Sequence, residues 1–468
     1  MKKILLTLAV VLLGIAASAQ EAKYVFYFIG DGMGTNQIQL TEMYRASIEG
    51  RLGIEPLAFT QFPVATISTH YSASSNVTDS AASGTALATG TKTRNGRLGI
   101  DPDGNKLTNI AEIAKANGKK VGILTTTGIN HATPGAFEAH QPDRGWYYEI
   151  AQDMIANGFD FYGGAAIYYE QFYHDKTPAA PIRPQFEAAG YTICNPREFA
   201  AGHKDMKKVL MLPGEGQSIT YSIDCVNDTP ENQANNHVTF AQLVDAAITT
   251  LMKDNKKGFF IMAEGSEIDH ACHSHDAATC IQEVIDFDEG IRVALEFYKK
   301  YPKQTLIVVT ADHETGGLGL APKKPEDLAL LKVQKHSMNV LSSMLKAKMQ
   351  EKEDVLSWEE IKEFLGENLG LWREVSMNWE DEKALRDIYE TTVAKKKAGS
   401  VKDLYADNAK IVSAAVGVLN RKARVSWVSS HSAAYTPVFA IGAGSSLFTH
   451  KTDNAEIPVL IKKAAAYK

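Results

Sequence analysis

Apolar residues gather along this chain in short blocks, separated by longer stretches of mixed pattern. Five blocks stand out, at residues 24–29, 120–124, 258–263, 305–310 and 437–441. They are too short for buried helices and too continuous for strands with one wet face, so they read as strands covered on both sides. Amphipathic helical stretches run between them. One opens at Thr239, where Thr239 and Gln242 have the spacing of a capping box. This alternation predicts an α/β fold: a three-layer α/β/α sandwich with a large, mostly parallel central sheet. From about residue 323 to 424 the texture becomes Lys/Glu-rich and helix-periodic, with a second capping box at Ser357 and Glu360. We expect a helical insertion there, riding on a single domain of residues 20–468.

The amino terminus has a different pattern. Lys2 and Lys3 precede an apolar run over residues 4–15, and Ala17-Ser18-Ala19 offers a small-residue cleavage site. Residues 1–19 therefore read as a secretory signal peptide, which places the mature chain in the periplasm or outside the cell. No later run of about 18 apolar residues suggests a membrane span. Export puts Cys194, Cys225, Cys272 and Cys280 in an oxidising space, so one or two disulfides are expected, with the pairing open. A zinc site that includes Cys272 is the alternative. Hydrophobic content of 44% and charged content of 22% are those of an ordinary globular protein, and the net charge of -6 argues against a nucleic-acid partner. Lys395, Lys396 and Lys397 form the one obvious basic run, read as a solvated helix face.

The candidate chemistry follows the strand blocks. "GDGMG" puts Asp31 directly after the first. "AEGSEIDHACHSH" puts Glu264 at the end of another, with Asp269, His270 and His273 just beyond. "TADHET" puts Asp312 and His313 after a third. Ligand sites of open α/β sheets form outside the carboxyl ends of the strands, so three strands deliver Asp, Glu and His to one edge. Asp and His with few thiols suit Zn²⁺; carboxylates with a hydroxyl suit Mg²⁺. The stretch "TDSAASGTALATG" reads two ways. Asp79-Ser80 is a helix cap before an Ala-rich helix, and Ser80 is also a nucleophile if metal ligands converge on it. A phosphate bound at that helix start would need a cationic fork, for which Arg is the best donor.

Taken together, these segments resemble the alkaline phosphatase family over nearly the whole mature chain. The nucleophile signature appears as Val77 to Thr85, the first metal segment as "GDGMG", and the last His as His431 in "SSHSAAYTPVFAIG". "HATPGAFEAHQPDR" resembles the segment that supplies a Thr and an Arg, here Thr133 and Arg144. The resemblance implies a first Zn²⁺ on Asp269, His273 and His431. It implies a second on Asp31, Asp312 and His313, with Ser80 as a further ligand. It implies a third ion, usually Mg²⁺, on Asp31, Thr133 and Glu264, with Arg144 gripping the phosphate. It also implies hydrolysis of small phosphate monoesters through a phosphoserine on Ser80, a broad substrate range and a homodimer. His131 and His270 stand where some members carry Asp and Lys. Both are expected beside the ligands rather than among them, which leaves the third ion's identity open, and His270 is expected to titrate near neutrality. Two other readings stand beside this one. Hydrolysis of phosphodiesters or sulfate esters would use the same metal core, though Arg144 favours a terminal phosphate. An exported phosphate-binding protein without turnover would make Ser80 dispensable.

Overall fold

The computed structural model describes residues 21–213, 218–227, 238–352, 355–393 and 408–468. The candidate signal peptide and Lys395 to Lys397 lie outside them. Among the described residues fourteen strands occur in chain order: β1 (Tyr24–Gly30), β2 (Val64–Thr69), β3 (Lys120–Thr125), β4 (Phe161–Gly163), β5 (Tyr191–Cys194), β6 (Lys208–Met211), β7 (Phe259–Gly265), β8 (Thr305–Thr310), β9 (Glu314–Thr315), β10 (Gly319–Leu320), β11 (Val425–Ser426), β12 (His431–Ser432), β13 (Thr436–Gly442) and β14 (Thr452–Asp453). Ten of them form one sheet, in the order β14-β2-β13-β8-β1-β7-β3-β4-β6-β5. All five apolar blocks are strands of this sheet. β13 alone runs against its neighbours, antiparallel to β8 and to β2; the other pairings are parallel.

The reason the apolar blocks are continuous is visible in β1. Val25, Tyr27 and Ile29 point into one hydrophobic layer, and Tyr24, Phe26 and Phe28 into the other, all of them buried. β7 and β8 alternate in the same way, with Phe260 and Met262, then Leu306 and Val308, on the first side. A strand buried on both faces has no polar face to show, so its sequence loses the period of two. Helices cover both layers. The first contains Ala81 and Leu87 of the helix Ser80–Thr89 and Phe137 of the helix Ala132–Glu138. The second contains Ile268 of the helix Glu267–His273 and Phe287 of the helix Ala277–Lys300. Both foreseen capping boxes form, at Thr239 with Gln242 and at Ser357 with Glu360.

Among the described residues, the chain between β10 and β11 is mainly helical, including Met338–Lys352, Trp358–Leu369, Trp379–Thr391 and Asn408–Lys422. Its apolar faces make a third cluster, which includes Leu341, Phe364 and Val416. That cluster packs against Leu40 and Tyr44 of the helix Thr35–Ser47 and against Ala277 and Ile281. Those two supporting helices are therefore buried on two sides, with the sheet under one and the helical segment over the other. Among the described residues no helix is long and apolar enough to cross a membrane, and no disulfide joins any of the four cysteines. The sulfurs of Cys272 and Cys280 face each other at 3.5 Å in the core. Cys272 belongs to no group of clustered metal-ligating side chains among the described residues, so the zinc reading for it finds no support.

Candidate active site

The parallel strands end at one edge, and the expected residues follow their carboxyl ends. Asp31 follows β1, Glu264 lies near the end of β7, and Asp312 and His313 follow β8. His431 arrives differently. It sits in β12, just before β13, and because β13 is reversed its amino end lies at the same edge. β12 then pairs with β9, matching His431 to Thr315.

These side chains converge in two groups of possible metal ligands, Asp31 with Asp312 and His313, and Asp269 with His313 and His431. His313 Nε2 is 3.4 Å from Asp31, 3.2 Å from Asp312 and 3.1 Å from Ser80 Oγ. His273 Nε2 is 3.0 Å from His431 Nε2 and 3.3 Å from Asp269, and His431 Nε2 is 3.9 Å from Asp269. Thr133 donates to Asp31 Oδ2 at 3.4 Å, and Glu264 accepts from Thr125 beside them. Exposure differs between the groups. The His313 and Asp312 side chains are fully buried, whereas His273 is 38% exposed.

Neighbouring groups decide which nitrogen each imidazole offers. His431 Nδ1 lies 2.9 Å from the Thr78 carbonyl, which can only accept, so Nδ1 carries the proton and Nε2 is bare. Thr315 donates to Asp269 and so accepts from His313 Nδ1 at 3.1 Å, which leaves His313 Nε2 bare as well. Bare nitrogens and carboxylate oxygens that face one another at such distances lack an attractive partner unless a cation lies between them. The carboxylates carry the same mark. Asp31 Oδ1, Asp312 Oδ2 and Glu264 Oε1 are buried without a hydrogen-bond partner. Burial first, then mutual repulsion, pushes Asp31 well above the usual carboxylate range and Asp312 up to about 8.

The helix Ser80–Thr89 is capped by Asp79, whose side chain accepts from the Ala82 N–H at 3.0 Å. Ser80 is therefore not the cap but the first residue inside, with its hydroxyl free to face His313. The other oxygen of Asp79 takes the Gly96 N–H at 3.0 Å and Arg144 Nη1 at 3.1 Å. Arg144 Nη2 reaches His131 Nε2 at 3.3 Å. Burial, then the charges of Arg144 and His270, pull His131 down to about 3, so it is neutral. The expectation of a neutral-range His270 is overturned. Burial lowers it, but the hydrogen bond from its Nδ1 to Glu267 at 3.0 Å and the charges of Glu267, Asp269 and Glu264 carry it up to about 9. It is a cation at neutral pH.

Several contributors escaped the sequence reading. Gln37 donates to Glu314 at 2.8 Å and to the Thr315 carbonyl at 2.7 Å, holding the turn after His313. Ser83 donates to the Asp312 carbonyl at 2.6 Å. The signal for Thr315 and Glu314 was their place in "TADHET"; Gln37 and Ser83 look like ordinary helix residues.

Comparison with known proteins identifies relatives of this chain. The family profile described as alkaline phosphatase matches residues 22–176 and 185–467. Alkaline phosphatase 4 of Bacillus subtilis is 29% identical over 457 residues, covering 95% of this chain and 89% of its own. Alkaline phosphatase 3 of the same species is 30% identical, with 96% and 90% coverage. Among solved structures, the cold-active alkaline phosphatase of Shewanella sp. superposes with a TM-score of 0.74 at 28% identity, covering 94% of this chain and 99% of that one. A variant of the alkaline phosphatase called TAB5, whose parent comes from an Antarctic bacterium, was solved with magnesium bound and gives 0.65 at 26% identity, with 96% and 99% coverage. The chain belongs to the alkaline phosphatase family, and with it to the phosphoric monoester hydrolases.

Proposed function

We propose that this chain cleaves phosphate monoesters by a two-step transfer through a phosphoserine on Ser80, at a centre of two zinc ions and one magnesium ion. The observation that carries the proposal is the Ser80 hydroxyl. It stands 3.1 Å from His313 at a helix start, inside a ring of candidate ligands in which Asp31 Oδ1, Asp312 Oδ2 and Glu264 Oε1 lack partners. The donor types fit the ions. Asp269, His273 and His431 would hold one zinc, and Asp31, Asp312 and His313, with Ser80, the other. Asp31, Thr133 and Glu264 supply the oxygens that magnesium prefers. When bound, such ions supply positive charge that lowers the pKa of an attacking hydroxyl and stabilises a departing oxygen.

The chain's own residues do the rest. Arg144 takes two oxygens of the phosphoryl group, held in direction by Asp79. Protonated His270 adds charge beside it. Ser80 Oγ attacks phosphorus, the bond to the alcohol oxygen breaks, and the alcohol leaves with a proton. Water then enters from the exposed His273 side, displaces Ser80 from phosphorus and frees inorganic phosphate. Recognition centres on the phosphoryl group, so the substrate range is broad, and Arg144 argues for monoesters over diesters. Export to the periplasm or beyond, and a homodimer, belong to the same reading.

Acid quenching of the enzyme with a phosphate monoester, followed by peptide mass spectrometry, should place a phosphoryl group on Ser80. Ser80→Ala should lose at least about 10³-fold in turnover and still bind zinc. Full-rate hydrolysis by that variant would defeat the covalent route.

A further inference from the structure

We infer that the cavity beside Arg144 and His131 receives the alcohol half of the substrate and is built for a flat aromatic ring, an inference that rests on the monoesterase reading above. The cavity measures about 760 Å³ and is lined by His131, Tyr147, Ile167, Tyr168, Tyr169 and His270. Its histidine wall is the phosphate side, since His131 contacts Arg144 and His270 adjoins Asp269. Its opposite wall is aromatic. The Tyr147 and Tyr169 rings lie nearly parallel, 5.5 Å apart at 9°, and Tyr168 meets Tyr147 edge-on at 5.2 Å. The His131 ring stands edge-on to Tyr168 at 6.2 Å, which joins the two walls.

This wall is built rather than incidental. Asn130, fully buried, donates to the carbonyls of Tyr147 and Tyr168 at 2.8 and 3.0 Å and accepts the Tyr168 N–H at 2.8 Å. One side chain thus ties both tyrosines to the residue before His131. The Tyr168 hydroxyl accepts from the Gly128 N–H and hydrogen-bonds the Thr127 hydroxyl. Its ring lies flat on Gly128, where any Cβ would fall 2.5 Å from Tyr168 Cζ. Tyr169 is 60% exposed and has φ +51°, a left-handed backbone that a bulky residue adopts at a cost. A strained, exposed aromatic ring gains a partner when a flat ring packs on it. An alkyl group gains only contact area.

The class is therefore phosphate monoesters whose alcohol carries a planar ring. Aryl-methyl alcohols and nucleosides share that chemistry, and paired esters separate them. Benzyl phosphate against cyclohexylmethyl phosphate changes flatness at nearly constant size and leaving-group chemistry. A purine nucleoside 5′-monophosphate against ribose 5-phosphate adds only the base. For the holoenzyme, kcat/KM should favour the flat member of at least one pair. Tyr169→Asn, which suits the left-handed backbone, and Tyr147→Leu should each shrink that preference about fivefold to tenfold. The pair that responds names the source of the ring. Preferences that both variants leave unaltered would overturn the inference while the monoesterase reading stands; no turnover of any ester by the wild type would overturn both.

Discussion

A buried acid with no partner records in miniature what a fold tolerates. Glu138, at the last turn of the helix Ala132–Glu138, is fully buried and neither of its side-chain oxygens has a hydrogen-bond partner. Burial, then Glu264 and Asp153, raises it well above the usual value of 4.5. An acid raised in the folded state holds a proton that the unfolded chain gives up, so stability falls as pH rises from about 4.5 to the folded-state value. Below about 4.5 the acid is neutral in both states and the penalty vanishes. Glu138→Gln should therefore raise Tm by a few degrees at pH 8 and hardly at all near pH 4, as calorimetry would register. Gly32 makes the opposite case, because φ is +69° and a Cβ would stand 2.8 Å from Asp269 Oδ1 and 2.9 Å from Thr315 Oγ1. Gly32→Ala should lower stability by more than about 1 kcal/mol and reduce the zinc content measured by elemental analysis.

Single elements do more than one job here. Asp79 closes the helix Ser80–Thr89 with one oxygen and holds Gly96 and Arg144 with the other. Asp79→Ala should cost about 1 kcal/mol as a lost cap and, separately, weaken inhibition by inorganic phosphate, because Arg144 loses its stay. A matching fall in Tm with unchanged phosphate inhibition would show that the cap alone matters. The five apolar strands were readable because both faces are buried. The remaining sheet strands were not. β2 is half-exposed, β4 has three residues, and β14 has two. The reversal of β13 left no mark either, since β13 is as apolar as a parallel strand. Asp31, Glu264, Asp312 and His313 could be found from their strands, because a polar residue at the end of an apolar run stands out. The roles of Thr133, Arg144 and His431 came only through resemblance. The tyrosine wall was invisible, because it depends on Asn130 joining segments that local pattern does not connect.

At the scale of the whole molecule, the site is a repulsive centre set within a large core. Asp31, Asp312 and Glu264 crowd together at the edge of the sheet, out of water. Ions that bind only the folded state offset this repulsion and stabilise the fold by mass action. Chelation should therefore lower Tm markedly. Asp312→Asn should narrow the gap between metal-loaded and stripped protein, melting later than wild type when stripped and earlier when loaded. Thermal scans with and without chelator would check both signs. The helical segment over Leu40 and Ile281 lies against the helices Thr35–Ser47 and Ala277–Lys300, and its residues Asn339 and Val340 line a cavity shared with His270 and His273. Thinning its cluster with Phe364→Ala should cost about 3–5 kcal/mol, and circular dichroism melting would measure it.

The reversed strand has one further consequence, for the order of events at birth. Because β13 brings His431 back to an edge that β1 began with Asp31, two candidate ligands 400 residues apart in the sequence meet at one place. A polypeptide still emerging from the ribosome holds most of the acidic groups long before the imidazole that completes the ring. Until His431 is made, the nascent molecule has a half-finished cage, and the Ser80 hydroxyl waits for the missing piece to arrive.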